Sequence, residues 1–230
     1  MEGGIKQSIY PSNFAEPYIM KRSIEIMQKG VYKCYSDNAA FKNMTPLEWI
    51  QHYTKLEADD TSDNKFYACA LYNYALFFPI LQESCNSIQY PRDGTKFADC
   101  IVYTWPSDSY LDSFALMFDE MNKKAIKMLE SGWLFLNYNI KRKKLYICTL
   151  PSHDNPLCYE NSTRIPIFAW NLWEHAYYLQ YENRKCAYVK NLWYLMNWNA
   201  IEQRFEYIAD KSDAIQMKIL YEPWEKRQHV

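Results

Sequence analysis

The stretch from residue 165 to residue 205 constrains the fold more than any other part of the chain. Residues 165–170 are uniformly apolar and predict a buried strand. The chain then continues as Asn171-Leu172-Trp173-Glu174-His175-Ala176-Tyr177-Tyr178. Helices are predicted over 174–180, 186–205 and 211–218, so the strand leads into helices at a Trp-Glu-His triplet.

The preceding segments predict the remaining elements. Apolar residues at helical spacing and N-capping residues predict helices over 19–36, 45–57, 64–82 and 109–130. Residues 133–138 and 144–149 alternate as a β-hairpin. Residues 83–108 carry Pro91, Gly94 and Pro106 and are predicted to be a junction.

The predicted fold class is α+β. An N-terminal helical hairpin is followed by a C-terminal domain with a three-stranded antiparallel sheet and C-terminal helices. The predicted organisation is an extended arm over 1–17, a helical-hairpin domain over 18–90 and an α+β domain over 91–230.

Composition limits the classes of protein that the chain can be. Apolar residues make up 49% and aromatic residues 17%, with only five glycines, which favours an ordered core over disorder. A net charge of −1 does not call for a polyanionic partner. Seven cysteines without a CxxC pair predict reduced thiols. The sequence holds neither an 18-residue apolar run nor a recognisable N-terminal presequence.

The Asn171–Tyr178 motif resembles the signature of the iron/manganese superoxide dismutases, an Asp-x-Trp-Glu-His-Ala-Tyr-Tyr segment. Residues 111–136 follow the pattern of the same family, and residues 64–81 are similar to its second long helix. The resemblance covers roughly residues 20–205 and is strongest after residue 110.

The resemblance implies four metal-ligand positions, of which three are altered. They correspond here to Met27, Tyr74, Asn171 and His175, where the family has His, His, Asp and His. A thioether and an uncharged amide are weak donors for a redox ion, and a phenol keeps its proton at neutral pH unless a metal is already bound. We therefore expect these degenerate positions to hold no metal and no cofactor, and we expect no catalytic residues. His153 is expected to be a loop histidine whose polar atoms are satisfied by its neighbours.

The resemblance also implies an interface. In the family, the Glu of the motif crosses a two-fold axis to the ligand His of the partner subunit. Glu174, His175 and Tyr178 are therefore the predicted interface residues. The partner would be a second copy, giving a homodimer, or a related chain, giving a heterodimer.

These expectations predict a pseudoenzyme. Family members without ligands serve as structural subunits of mitochondrial assemblies, so the expected function is a structural subunit of a respiratory-chain complex or of the small subunit of the mitochondrial ribosome. Its partners would be other protein subunits, with RNA contact allowed but not required. The expected location is the mitochondrial matrix side. The alternatives are an active superoxide dismutase with a rearranged metal site and a binding protein whose emptied cavity takes a small ligand.

Overall fold

The computed structural model describes Glu48, Ile50 and residues 63–82, 87–159 and 163–210. The predicted arm, the helices predicted over 19–36 and 211–218, and the Met27 position lie outside these residues. Within them, the chain order is α1 (Asp63–Phe77), α2 (Lys96–Thr104), α3 (Tyr110–Lys127), β1 (Gly132–Asn139), β2 (Lys144–Pro151), β3 (Arg164–Asn171), α4 (Glu174–Tyr181), α5 (Lys185–Leu192) and α6 (Trp198–Asp210). Short 3-10 turns occupy Phe78–Ile80, Pro156–Cys158 and Trp193–Leu195.

The three strands form one antiparallel sheet in the order β2-β1-β3. The central strand β1 is buried along almost its whole length, as expected of a strand covered on both faces. Trp133 lies opposite Leu150 on one side and opposite Asn171 on the other, which sets Asn171 at the end of the sheet. The predicted fold class, α+β with a three-stranded antiparallel sheet and C-terminal helices, is confirmed.

Gly132 allows the close approach of β1 and β2. A Cβ atom at this position would overlap the carbonyl oxygen of Leu150 and the end of the Met128 side chain. The first strand can therefore start here only with a residue that has no side chain.

Aromatic rings fill the space between the sheet and the helices. Trp193 is fully buried, and its ring centroid lies 4.5 Å from that of Phe118 and 4.9 Å from that of Trp170. Its indole N–H donates to Asn122 Oδ1 at 2.9 Å, so the ring is buried without an unpaired donor. The high aromatic content is thus used largely in the core.

The predicted junction over 83–108 contains a helix that the sequence did not predict, α2. Thr95 caps this helix, since its hydroxyl oxygen accepts the Ala98 N–H at 3.2 Å. Phe97 and Ile101 are completely buried, so packing stabilises a helix that Gly94 and two prolines seemed to exclude.

The single helix predicted over 186–205 is wrong. The chain leaves helical geometry between α5 and α6 because its backbone pairs with the segment that follows α1. The Gln82 N–H donates to the Leu195 carbonyl at 2.8 Å, and the Asn197 N–H donates to the Ile80 carbonyl at 2.7 Å. Leu81 and Met196 form an isolated antiparallel bridge between these bonds. We call this pairing of 80–82 with 195–197 the seam.

In the part of the chain that the structure describes, no helix has the length and apolar character needed to cross a bilayer.

Candidate functional site

The structure brings three of the four predicted ligand positions together. Tyr74 lies in α1, Asn171 is the last residue of β3, and His175 lies in the first turn of α4. Tyr74 Oη is 2.9 Å from His175 Nε2, and Asn171 Nδ2 is 3.5 Å from the same nitrogen. The fourth position, Met27, lies outside the described residues.

Asn171 is held by bonds on both its side chain and its backbone. Its Oδ1 accepts the Trp173 N–H at 3.0 Å, and its backbone carbonyl accepts the Tyr188 hydroxyl at 2.6 Å. With Oδ1 engaged in this way, Nδ2 is directed at His175. The sequence did not single out Tyr188 as a supporting residue, because its bond reaches back to the end of a strand in another element.

The His175 ring is neutral at physiological pH. Desolvation lowers its pKa below the ordinary value, although part of the side chain reaches the surface. The enclosed part is Nε2, which faces the buried Tyr74 hydroxyl. A neutral imidazole offers a free nitrogen lone pair, the form in which histidine binds metal ions.

His153 is buried behind these residues, and both its Nδ1 atom and its backbone carbonyl accept hydrogen bonds. Trp133 Nε1 donates to His153 Nδ1 at 3.1 Å, and the ring stacks on Trp173 with 4.7 Å between centroids. Its backbone carbonyl accepts Asn73 Nδ2 at 2.9 Å, which ties the loop to α1. Burial, with a smaller contribution from His175, lowers the pKa of His153 to about 3.

Aromatic rings enclose the inner side of the site. The Tyr74 ring stacks on Phe78 at 5.5 Å and meets the edge of Trp133 at 5.1 Å. Trp173 approaches His175 at 5.6 Å. These rings shield the inner side of the site, while His175 itself is exposed on the outer side.

The donor atoms fit an ion bound through imidazole and phenol. Donors that share one ion at about 2.0–2.1 Å lie roughly 3.0–3.6 Å apart at right or trigonal angles. The 2.9 Å separation between Tyr74 Oη and His175 Nε2 is close to these values, whereas the Asn171 Nδ2 amide nitrogen, at 3.5 Å from Nε2, has no free lone pair for an ion. A bound cation also favours loss of the phenol proton, which turns Tyr74 into an anionic donor.

In the described part of this site, only the imidazole of His175 and the phenol of Tyr74 are placed to bind an ion. Among the residues that the structure describes, no group of three or more His, Cys, Asp or Glu side chains could hold an ion. Asn171 could offer its oxygen only by giving up the bond to the Trp173 N–H. A metal here would therefore depend on His175 and Tyr74.

Comparison with known proteins decides the family. Residues 107–204 match the family model described as iron/manganese superoxide dismutases, C-terminal domain. The mitochondrial manganese superoxide dismutase of Drosophila melanogaster is 34% identical over 194 residues, which cover 83% of this chain and 82% of that protein. This chain belongs to the iron/manganese superoxide dismutase family.

Other relatives extend the similarity. The mitochondrial manganese superoxide dismutase of Onchocerca volvulus is 39% identical over 93 residues, or 40% of this chain and 41% of that protein. The manganese/iron superoxide dismutase 2 of Staphylococcus aureus (strain bovine RF122 / ET3-1) is 28% identical over 204 residues, or 86% of this chain and 94% of that protein.

The expectation of a non-catalytic structural subunit is therefore wrong. Relatives that align along most of the chain are named as superoxide dismutases, and none of these findings points to a pseudoenzyme, a respiratory-chain subunit or a ribosomal protein. The physical reason is that the replaced groups still direct polar atoms at His175, which residue types alone did not reveal. The findings favour the alternative, an active superoxide dismutase.

Glu174, His175 and Tyr178, the predicted interface residues, are all exposed in the single chain. The exposed fraction of Tyr178 is 53%.

Proposed function

We propose that this protein is a superoxide dismutase whose redox metal is held by His175 and Tyr74. The observation that carries the proposal is the meeting of Tyr74 Oη and His175 Nε2 at 2.9 Å in a chain 34% identical to a manganese superoxide dismutase. A bound iron or manganese ion would supply the alternating one-electron chemistry that converts two superoxide ions and two protons into dioxygen and hydrogen peroxide.

The chain's own residues prepare the site for this role. Desolvation lowers the pKa of His175, which favours the neutral ring and leaves a nitrogen lone pair that an ion can share. Tyr74 shares a proton with that nitrogen and can release it as an ion binds. Trp133 holds the neighbouring His153 ring, and its own ring packs edge-on against Tyr74.

Metal analysis and a superoxide assay on the same preparations test this function. The purified full-length chain, expressed with iron and manganese supplied, should carry about one such ion per chain and consume superoxide. Tyr74→Phe removes only the hydroxyl and keeps the buried ring. Because the loss of an outer-shell partner alone typically weakens metal binding about 10–100-fold, we expect this variant to lose at least that factor in affinity, together with its activity.

Tyr103→Phe is the matched control, since Tyr103 is 58% exposed on α2. It should keep both metal and activity. A folded wild-type chain that binds neither ion, or a Tyr74→Phe variant that keeps its metal and activity, would refute the proposal.

A mitochondrial location on the matrix side is part of this proposal. The Drosophila relative is named as mitochondrial, which supports the location. Fractionation of the source cells, with protease protection of the inner compartment, tests it.

We propose further that Glu174 and Tyr178 contact a second copy or a related chain, in keeping with their exposure. Light scattering on the wild type and on Tyr178→Ala tests this contact, since the variant should shift toward monomer. Native purification would also reveal further protein subunits or RNA.

A further inference from the structure

Two cysteines far apart in the sequence meet beside the loop that carries His153. Cys69 Sγ in α1 lies 3.2 Å from Cys158 Sγ, which ends the Pro156–Cys158 turn 89 positions later. Both thiols are free. Cys69 is 1% exposed, whereas Cys158 is only partly buried, so an oxidant from solution reaches Cys158 first.

The surroundings of the pair favour a covalent bond over a chance contact. A disulfide needs its sulfur atoms about 2.05 Å apart, so the two sulfurs have to approach by about 1.2 Å, a small rotation of each side chain. The elements that carry them are already fixed to each other, because Asn73 of α1 donates to the His153 carbonyl at 2.9 Å. Asn155 Oδ1 accepts the Leu157 N–H at 2.9 Å and holds the turn in place.

The two thiols differ in acidity. The hydrogen bond from Cys69 stabilises the Cys158 thiolate and lowers the pKa of Cys158, against the effect of burial. The same interaction and burial raise the pKa of Cys69 well above its ordinary value. The thiolate is the reactive form, so Cys158 is the attacking sulfur.

We propose that Cys69 and Cys158 form a reversible disulfide when the protein meets hydrogen peroxide. The Cys158 thiolate attacks one peroxide oxygen, the O–O bond breaks, and the other oxygen leaves as water after taking a proton. Cys158 is then a sulfenic acid. The Cys69 sulfur attacks the Cys158 sulfur, the S–O bond breaks, and a second water leaves. In total, two thiols are oxidised to one disulfide and one peroxide is reduced to two waters.

Formation of the disulfide would change how the loop beside the candidate metal site is held. Cys158 and His153 lie on the same short loop, and Cys69 and Tyr74 lie on the same helix, so the disulfide would fix the loop against the helix. Hydrogen peroxide is the product of the proposed dismutation. The inference does not depend on that activity, because added peroxide serves equally well.

Mass spectrometry of the full-length chain tests the proposal. Reduced protein, kept with a chelator so that free metal does not catalyse oxidation, is treated with hydrogen peroxide. We expect the loss of two hydrogens from the intact mass and of two alkylatable thiols, a non-reduced peptide that joins Cys69 to Cys158, and reversal by dithiothreitol. Cys186→Ala, which removes an exposed thiol, is the matched control and should behave as the wild type.

Single variants separate the two roles. Cys69→Ala should form no disulfide and should accumulate a dimedone-reactive sulfenic acid at Cys158, whereas Cys158→Ala should leave Cys69 a thiol. Circular dichroism confirms that each variant is folded. A cross-link to any other cysteine, wild-type protein that keeps both thiols, or a sulfenic acid on Cys69 would overturn the proposal. A chain without metal or activity that still forms the disulfide would refute only the proposed function.

Discussion

Replacing His153 by glutamine should change how the stability of the protein depends on pH. His153 is 2% exposed, and burial lowers its pKa from 6.5 to about 3. Glutamine can keep an acceptor for the Trp133 N–H, which donates to this ring at 3.1 Å, but it does not titrate. The substitution therefore removes the proton uptake and keeps the hydrogen bond.

The sign and size of the effect follow from the two pKa values. Between about pH 6.5 and pH 3 the unfolded chain binds a proton at His153 and the folded chain does not, so acid favours unfolding. The contribution of the neutral ring to stability is present above about pH 6.5 and is lost as the pH falls. At about 1.4 kcal/mol per pH unit, the wild type should lose about 2 kcal/mol more than His153→Gln between pH 6 and pH 4.

Urea unfolding followed by tryptophan fluorescence, in half-unit steps of pH and with a chelator present, measures this difference. The titration of carboxylates changes the free energy of unfolding of both proteins by the same amount. This change cancels when the two free energies are subtracted. A difference that stays constant from pH 6 to pH 4 would mean that His153 is protonated in the folded protein or open to water, and the argument from burial would fail.

Three other substitutions test the fold itself. Gly132→Ala should lower the free energy of unfolding by about 3 kcal/mol or more, since the new methyl group meets backbone in a packed sheet. Gly94→Ala should cost about 1 kcal/mol, because the space around Gly94 is open and only its φ of +74° is unfavourable for alanine. Equal losses in urea unfolding would contradict the packing argument. Glu202→Gln should lower the free energy of unfolding by about 2–3 kcal/mol, because the buried carboxylate accepts hydrogen bonds from the Arg92 backbone N–H at 2.6 Å and from Arg92 Nε at 2.9 Å. Thermal unfolding that matches the wild type would show that the pair contributes little.

Local patterns in the sequence predicted the elements whose causes are local. The segments on either side of the turn at 139–143 and the apolar β3 segment marked the three strands. The alternation predicted for the hairpin does not hold for β1, which is buried along almost its whole length. The cap of Thr95 was also a local signal, but Gly94 and the two prolines masked it. The break between α5 and α6 has no local cause, because the groups that pair there with Leu195 and Asn197 lie after α1.

The candidate site also combines features that the sequence predicted with features that it did not. The motif around His175 marked the ligand positions, and the similarity to the family placed Tyr74 among them. Residue types could not show that a phenol at that position still points at the imidazole. The functional prediction rested on those residue types, and the similarity to named superoxide dismutases overturned it. The Cys69–Cys158 contact was equally hidden, since nothing along the chain links two cysteines 89 positions apart.

The seam has a consequence for how this protein is made. Its main-chain bonds join residues 80–82, just after α1, to residues 195–197, and the Gln82 side chain adds a bond to the Met196 carbonyl across 114 positions. A growing chain on the ribosome cannot form these contacts until residues 195–197 have emerged, so the helix that carries Tyr74 is made well before its seam partners. We expect nascent chains halted before Leu195 to expose α1 to proteases, and chains released after α6 to protect it.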